Sequence, residues 1–364
     1  MIRGRRFFAL SLLLAMALSV ACTKQAAPPP AAEKEAAPAP AGSAFTQEER
    51  GTSAIDRKYS KFAAIAQMGP VVPGLKQDLI PQGLAHWPEK DWLVISYYTK
   101  AAKPSMLTIV DNKTGKLVKS LRLYETETKA YTGHAGGIAV SKQNLWLGSG
   151  GDMFGIALKD LEAAADNSNI KFTSHFKPET NASFVAYADG ILWAGEFYHP
   201  TAGYDTSLKH HMKNRNGQEY GAWVEGYRLD PATDKPAGAA PDYLFSIPER
   251  IQGMAVSKDS VFLARSYGRK VDSTLFRYGL PDLAGAPHQT ATVAGKQVPL
   301  WFLDETTQTR NDPVQVMPPM AEGMVTDGAN RLYVLYESGA NEYRFDGFNP
   351  LDRLAIVDLN TWTR

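Results

Sequence analysis

Cysteine is all but missing from this chain: of 364 residues only Cys22 is one. A lone cysteine closes no internal disulfide, so its meaning rests on where it sits. Also missing are a Gly-x-Ser-x-Gly elbow, a phosphate-cradling loop, a dinucleotide fingerprint and a histidine pair at metal-ligand spacing. No ready-made nucleophile, nucleotide or zinc chemistry can therefore be read from a motif. Net charge is only +1, and Lys and Arg are scattered, so there is no electrostatic case for a nucleic-acid partner. No long stretch repeats at the helical period. The apolar run Phe7–Val20 is too short to span a membrane.

What is present is a repeat. A small step leads into an apolar strand, and a large apolar residue follows nine positions after the anchor. Gly83-Leu84-Ala85 runs to Trp92, Gly137-Ile138-Ala139 to Trp146, and Phe184-Val185-Ala186 to Trp193. Gly253-Met254-Ala255 runs to Phe262, and Gly323-Met324-Val325 to Leu332 and Tyr333. Self-similarity of this kind marks a repeat architecture. Further strands follow in each unit: Met106–Val110 and Leu117–Leu123, Met153–Leu158 and Ile170–Phe176, Ala222–Leu229 and Tyr243–Ile247, Thr274–Tyr278 and Val298–Leu303, and Arg353–Val357. Four units have about four strands and the fifth lacks one, which Phe62–Met68 can supply. The expectation is an all-β, five-bladed β-propeller over residues 44–364, closed by an N-terminal strand that removes the open edges. Two long insertions, 199–220 and the pair 281–297 and 305–320, leave room for a sixth blade as the alternative. A short helical turn is expected at Leu158–Ala165. Trp92, Trp146 and Trp193 are repeat-equivalent and read as core.

The N-terminus has a different character. Arg3, Arg5 and Arg6 precede the apolar run, and Ala21 precedes Cys22, which is the layout of an export signal. Ser19-Val20-Ala21-Cys22 resembles a bacterial lipobox, with Ser19 where a leucine is usual. The resemblance implies cleavage after residue 21 and acylation of Cys22, hence a membrane as partner. An ordinary signal peptide with a cysteine at its boundary is the alternative. Arg5-Arg6-Phe7-Phe8 also resembles a twin-arginine signal without its flanking residues. Loss of the three arginines takes the charge from +1 to −2. Thr23, rather than Asp, after the cysteine favours the outer membrane, periplasmic or surface-facing, by resemblance to enterobacterial sorting. Residues 22–43 are then the lipid anchor and a tether rich in Ala and Pro that can bury no core. The expected unit is a monomer.

In a propeller, ligands are expected where the inner strands open into the channel. The residues just before the anchors are Gln82, Gly136, Ser183, Gln252 and Glu322, with His134 and Asn181 slightly upstream. A second set, at the ends of the second strands, is Ile95, Ser149, Glu196, Arg265 and, after one residue of slip, Tyr336. Glu196 and Arg265 form either an ion pair between blades or a grip on a polar ligand, with Tyr97, Tyr198, Tyr267 and Tyr336 as walls. That pattern suits a small molecule, a glycan or a peptide. His134 is the candidate base, because histidine titrates near neutrality, and its bland reading is a strand cap.

Glu322-Gly323 resembles the Glu-Gly step of the gluconolactonase and senescence-marker propellers, where the glutamate binds a divalent metal. That resemblance implies a metal-dependent lactonase or esterase-type hydrolase as the alternative to a binding or scaffold module. Ca²⁺ at Glu322 and His134 or Glu196 as base go with it. One carboxylate among amides is a thin calcium site. The segments PQGLAHW (81–87), VISYY (94–98), GHAGGIAV (133–140), IQGMAVS (251–257) and ARSYGR (264–269) resemble a group of secreted bacterial propellers without an assigned activity. This implies fold and secretion, from about Leu79 onward, and no active site.

Overall fold

The computed structural model describes residues 45–51, 54–100, 103–308 and 313–362. The leader, Cys22 and the tether lie outside the described residues. Five sheets stand side by side in a closed ring, each inner strand flanked by the inner strands of the two neighbouring blades. Blade one is Ile80–Trp87, Trp92–Tyr98, Met106–Asp111 and Leu117–Tyr124. Blade two is Gly137–Val140, Asn144–Ser149, Asp152–Ala157 and Ser174–Phe176. Blade three is Phe184–Ala188, Ile191–Gly195, Ala222–Arg228 and Tyr243–Ile247. Blade four is Ile251–Val256, Ser260–Arg265, Ser273–Gly279 and Val314–Met317. Blade five is Ala321–Thr326, Arg331–Tyr336 and Arg353–Asp358, completed by Ala66–Val71 from the start of the fold. Ala66 pairs with Val357 and Met68 with Ala355. The ring thus closes with five blades, as the repeat implies.

Three boundaries differ from the sequence expectation. Phe62 is not in the closing strand; a short helix, Ser60–Ile65, turns its ring into the core and the strand begins at Ala66. The segment 170–176 is divided. Ser168–Lys171 lies parallel to the outer strand of blade one, and only Ser174–Phe176 belongs to blade two. The apolar stretch 298–303 is not the fourth strand of blade four. Lys296–Phe302 runs parallel to Tyr243–Ile247 of blade three, pairing Phe245 with Trp301, and carries Gln289–Val293 outside it. An apolar strand is defined by its own residues, but the sheet it joins depends on distant partners. Here Leu300 and Phe302 pack with Trp223 and Leu244. The insertions therefore widen blade three rather than add a sixth blade. The expected helical turn is Leu158–Ala163.

The anchors have a steric explanation. Neighbouring inner strands meet almost backbone to backbone around the axis. A Cβ on Gly137 would lie 2.3 Å from the Val185 nitrogen, one on Gly253 2.3 Å from the Glu322 oxygen, and one on Gly323 2.5 Å from the Leu84 nitrogen. Only glycine allows that approach. The exception, Phe184, sets its ring against Gly195, where a Cβ would sit 2.1 Å from the ring. Blade three has thus moved the glycine to the second strand. Trp146 and Trp193 are buried among the blades, as their repeat position implies.

Candidate functional site

The inner strands begin at one end of the channel, and the second strands end there. Glu322, at the start of blade five's inner strand, is 4 % exposed and hydrogen-bonded to Glu337, just past the end of its second strand. A bond between two carboxyl groups needs a proton, so the pair carries one. Gln252 Nε2 donates to Glu322 Oε1 at 3.1 Å, and Gln82 Nε2 donates to Glu337 Oε2 at 3.1 Å. A polar chain therefore crosses blades four, five and one. Three of the residues picked from the sequence, Gln82, Gln252 and Glu322, meet here.

Burial pushes both carboxyl groups up, and their mutual repulsion adds to this for Glu322. Glu337 rises to about 7, restrained by its bonds to Gln82 and Glu322 and by the charges of Arg269 and Lys100. Glu322 is raised as well and lies too close to Glu337 to titrate alone, so the proton belongs to the pair. The surroundings are aromatic. The hydroxyls of Tyr98 and Tyr343 meet at 2.8 Å. Arg269 lies 4.8 Å and Lys100 5.8 Å from the Tyr343 ring centre. Their charges are in turn held by Glu342 and Asp346. His134 stands edge-on to Tyr98, with ring centres 4.4 Å apart. Its ring reaches solvent at the mouth, yet protein surrounds it enough that desolvation holds it below the usual histidine range.

The other candidates go elsewhere. Ser183 Oγ accepts from the Phe197 amide at 3.2 Å and acts as a strand cap. Ser149 does the same for Ala135. Tyr336 is fully buried with its hydroxyl 3.6 Å from Met317 Sδ, and Tyr97 is buried on Thr108. Glu196 does not pair with Arg265. Its Oε1 accepts from His210 Nδ1 at 2.6 Å and from the Trp223 amide at 2.9 Å, all buried. The His210 ring stacks on Trp223 at 4.2 Å. Glu196 thus fastens the 199–221 insertion to blade three. Arg265 lies over the Phe276 ring at 5.1 Å, its guanidinium pKa lowered by burial and by Arg250. His211 points away from His210, toward Thr206 and Tyr198. Among the described residues no group of three or more His, Cys, Asp or Glu is placed to hold a metal ion. Gln82 and Gln252 present amide nitrogens, not oxygens, to the carboxylates.

Sequence reasoning missed Glu337 and Glu225. Glu225 is buried between blades two and three and is raised by burial. Its Oε2 accepts from the Glu179 and Thr180 amides and the Thr180 hydroxyl. Glu337 had a signal: it is the neighbour of Tyr336, and strand alternation sends successive side chains opposite ways.

No family model and no curated protein matches the sequence. Among solved structures, the chain is similar to the PQQ-bound aldose sugar dehydrogenase of Streptomyces coelicolor (16% identity, 80% of this chain and 96% of that one, TM-score 0.43). It is also similar to the glutaminyl cyclase of Myxococcus xanthus (10%, 80% and 94%, 0.40). A gluconolactonase of Xanthomonas campestris is a third (13%, 80% and 95%, 0.35). The five-bladed fold rests on the strand pairing above, and none of these likenesses places a ligand in this chain.

Proposed function

We propose that this chain is a ligand-binding β-propeller held at the cell envelope by an acylated Cys22, with its ligand site at the Glu322–Glu337 mouth. The observation that carries the site is the hydrogen bond between the buried Glu322 and the partly buried Glu337, each joined to a glutamine, Gln252 and Gln82. The carboxyl oxygens keep lone pairs that accept, and Gln252 Nε2 keeps a second hydrogen to donate, which together match a hydroxyl group. Tyr98, Tyr343 and His134 supply flat walls of the kind that polyols and sugars pack against. The ligand class is therefore a small polyhydroxy compound. Calorimetric titration of the purified protein with a panel of monosaccharides, polyols and their lactones is the test. Saturable binding lost in Glu337→Gln supports the reading; no binding across the panel refutes it.

The hydrolase reading keeps one support, because the same pair holds an acid next to a base. His134 stands at the mouth and Glu196 does not, so a base at Glu196 is dropped from that reading. The donor set is thin for a calcium ion: the mouth offers two carboxyl groups, and among the described residues no group of three or more His, Cys, Asp or Glu is placed to hold a metal. Turnover of a lactone in the same panel, abolished by Glu322→Gln, would favour hydrolysis over binding. For the anchor, Cys22→Ser is expected to move the protein from the membrane to the soluble fraction. Retention in the membrane fraction would remove that part of the proposal. The outer membrane and a monomeric state belong to the same proposal.

A further inference from the structure

The opposite end of the channel opens into a second space of about 730 Å³. Its lining follows from the repeat. The residues just after the anchors, Leu84, Ile138, Val185, Met254 and Met324, are all buried and form its floor. Two positions on come His86, Val140, Tyr187, Val256 and Thr326, a mixed wall. Lys142, Asp189 and Lys258 stand at the rim with Glu89. His86 is engaged by Asp91 at 3.1 Å and Asp327 by Arg331, while Arg277 has Asp259 as its neighbouring charge. The remaining rim charges, Lys142, Lys258, Glu89 and Asp189, sum to zero.

Interleaved charges facing water make little net field at this rim, and salt screens what remains. They favour neither an anion nor a cation. The floor gains from any apolar group that shields it from water. The five buried floor residues lie two positions along their strands from Gln82, Gly136, Ser183, Gln252 and Glu322, between this space and the mouth.

We propose that this funnel is a second ligand site, independent of the mouth, that takes an uncharged amphiphile. An alkyl or aryl group rests on the Met254–Met324 floor, and a hydroxyl, ether or amide end faces His86, Tyr187 and Thr326. The volume lies in the range of small-molecule sites, roughly 300–1,000 Å³. Nothing in this proposal depends on what the mouth binds.

Calorimetric titration of the purified protein with 1-octanol, octanoate and octyltrimethylammonium tests it, each kept below its solubility or micelle limit. The expected result is one equivalent of octanol bound at least about tenfold more tightly than either ion. Hexanol should then bind about fifteenfold more weakly, at about fourfold per buried methylene. Thr326→Arg, which fills the wall from a partly exposed position, should abolish octanol binding. Absence of saturable octanol binding, tighter binding of either ion, or full binding by a folded Thr326→Arg variant would each overturn the proposal. The head-group comparison needs only the unmodified protein, so it decides the matter even if the variant does not fold.

Discussion

The two ends of the channel are lined by the same five strands and differ in almost everything else. At the mouth the strands contribute Gln82, Gln252 and Glu322, which is hydrogen-bonded to Glu337. At the far end they contribute Ile138, Val185, Met254 and Met324. One strand crossing from a polar to an apolar environment in three residues shows how a repeat separates tasks. The collar sets spacing and must stay uniform. The positions on either side are free to diverge, and they do so in opposite directions.

The comparison breaks first at the collar. Gly137→Val puts side-chain atoms where Val185 and Phe184 backbone already is, 2.3–2.4 Å away. The expected loss exceeds about 5 kcal/mol, enough to cost the fold and both sites together. Soluble yield and the chemical denaturation midpoint read it. Phe184→Ala should cost less, about 3–5 kcal/mol, by emptying the space above Gly195. A near-neutral result would mean that blade three does not use this ring in place of a glycine.

The mouth differs from the funnel in its response to pH. Glu337 is raised from 4.5 to about 7 in the folded protein. The folded state therefore binds more protons than the unfolded one between those values. Stability attached to this group is full at acid pH and falls as pH rises through that window, by at most about 1.4 kcal/mol per pH unit. Glu337→Gln should flatten this part of the stability profile measured by denaturant titration. An unchanged slope would show that the fold does not raise Glu337. The smallest effect belongs to the far rim. Lys142→Ala, at an exposed turn, should change stability by less than about 0.5 kcal/mol.

The sequence carried the five blades because collar glycines and the apolar strands after them recur locally. It did not carry blade membership for 168–171 and 296–302, because both pair in parallel with strands far away in the chain. The nine-residue spacing also hid a shift in hairpin length. Leu84 pairs with Ile95 and Met324 with Val334, whereas Ile138 pairs with Leu147 and Met254 with Leu263. Tyr97 and Tyr336 therefore match Glu196 and face the blade interior, while their neighbours Tyr98 and Glu337 reach the mouth. Half of the carboxyl pair, Glu322, was legible from its anchor. The other half lay one residue beyond a position already singled out. Glu196 and Arg265 look like partners when only blade order is known. The insertion that brings His210 to Glu196 has no periodic signal to announce it.

The closing strand has a mechanical consequence. Ala66–Val71 is joined to Arg353–Asp358 by backbone bonds, so a pull on the chain ahead of residue 66 is a pull on the ring's seam. The load does not arrive there directly. Gln47 grips Val71, Gly115 and Leu117, and Asp352 takes the amides of Arg50 and Gly51. Arg50 reaches Leu75 and Asn341, and Glu49 meets Arg353. Segment 45–51 stitches blade five to blade one before the seam begins. Force entering at residue 45 would have to unpick those bonds in turn before it reached the pair of strands that keeps the propeller shut.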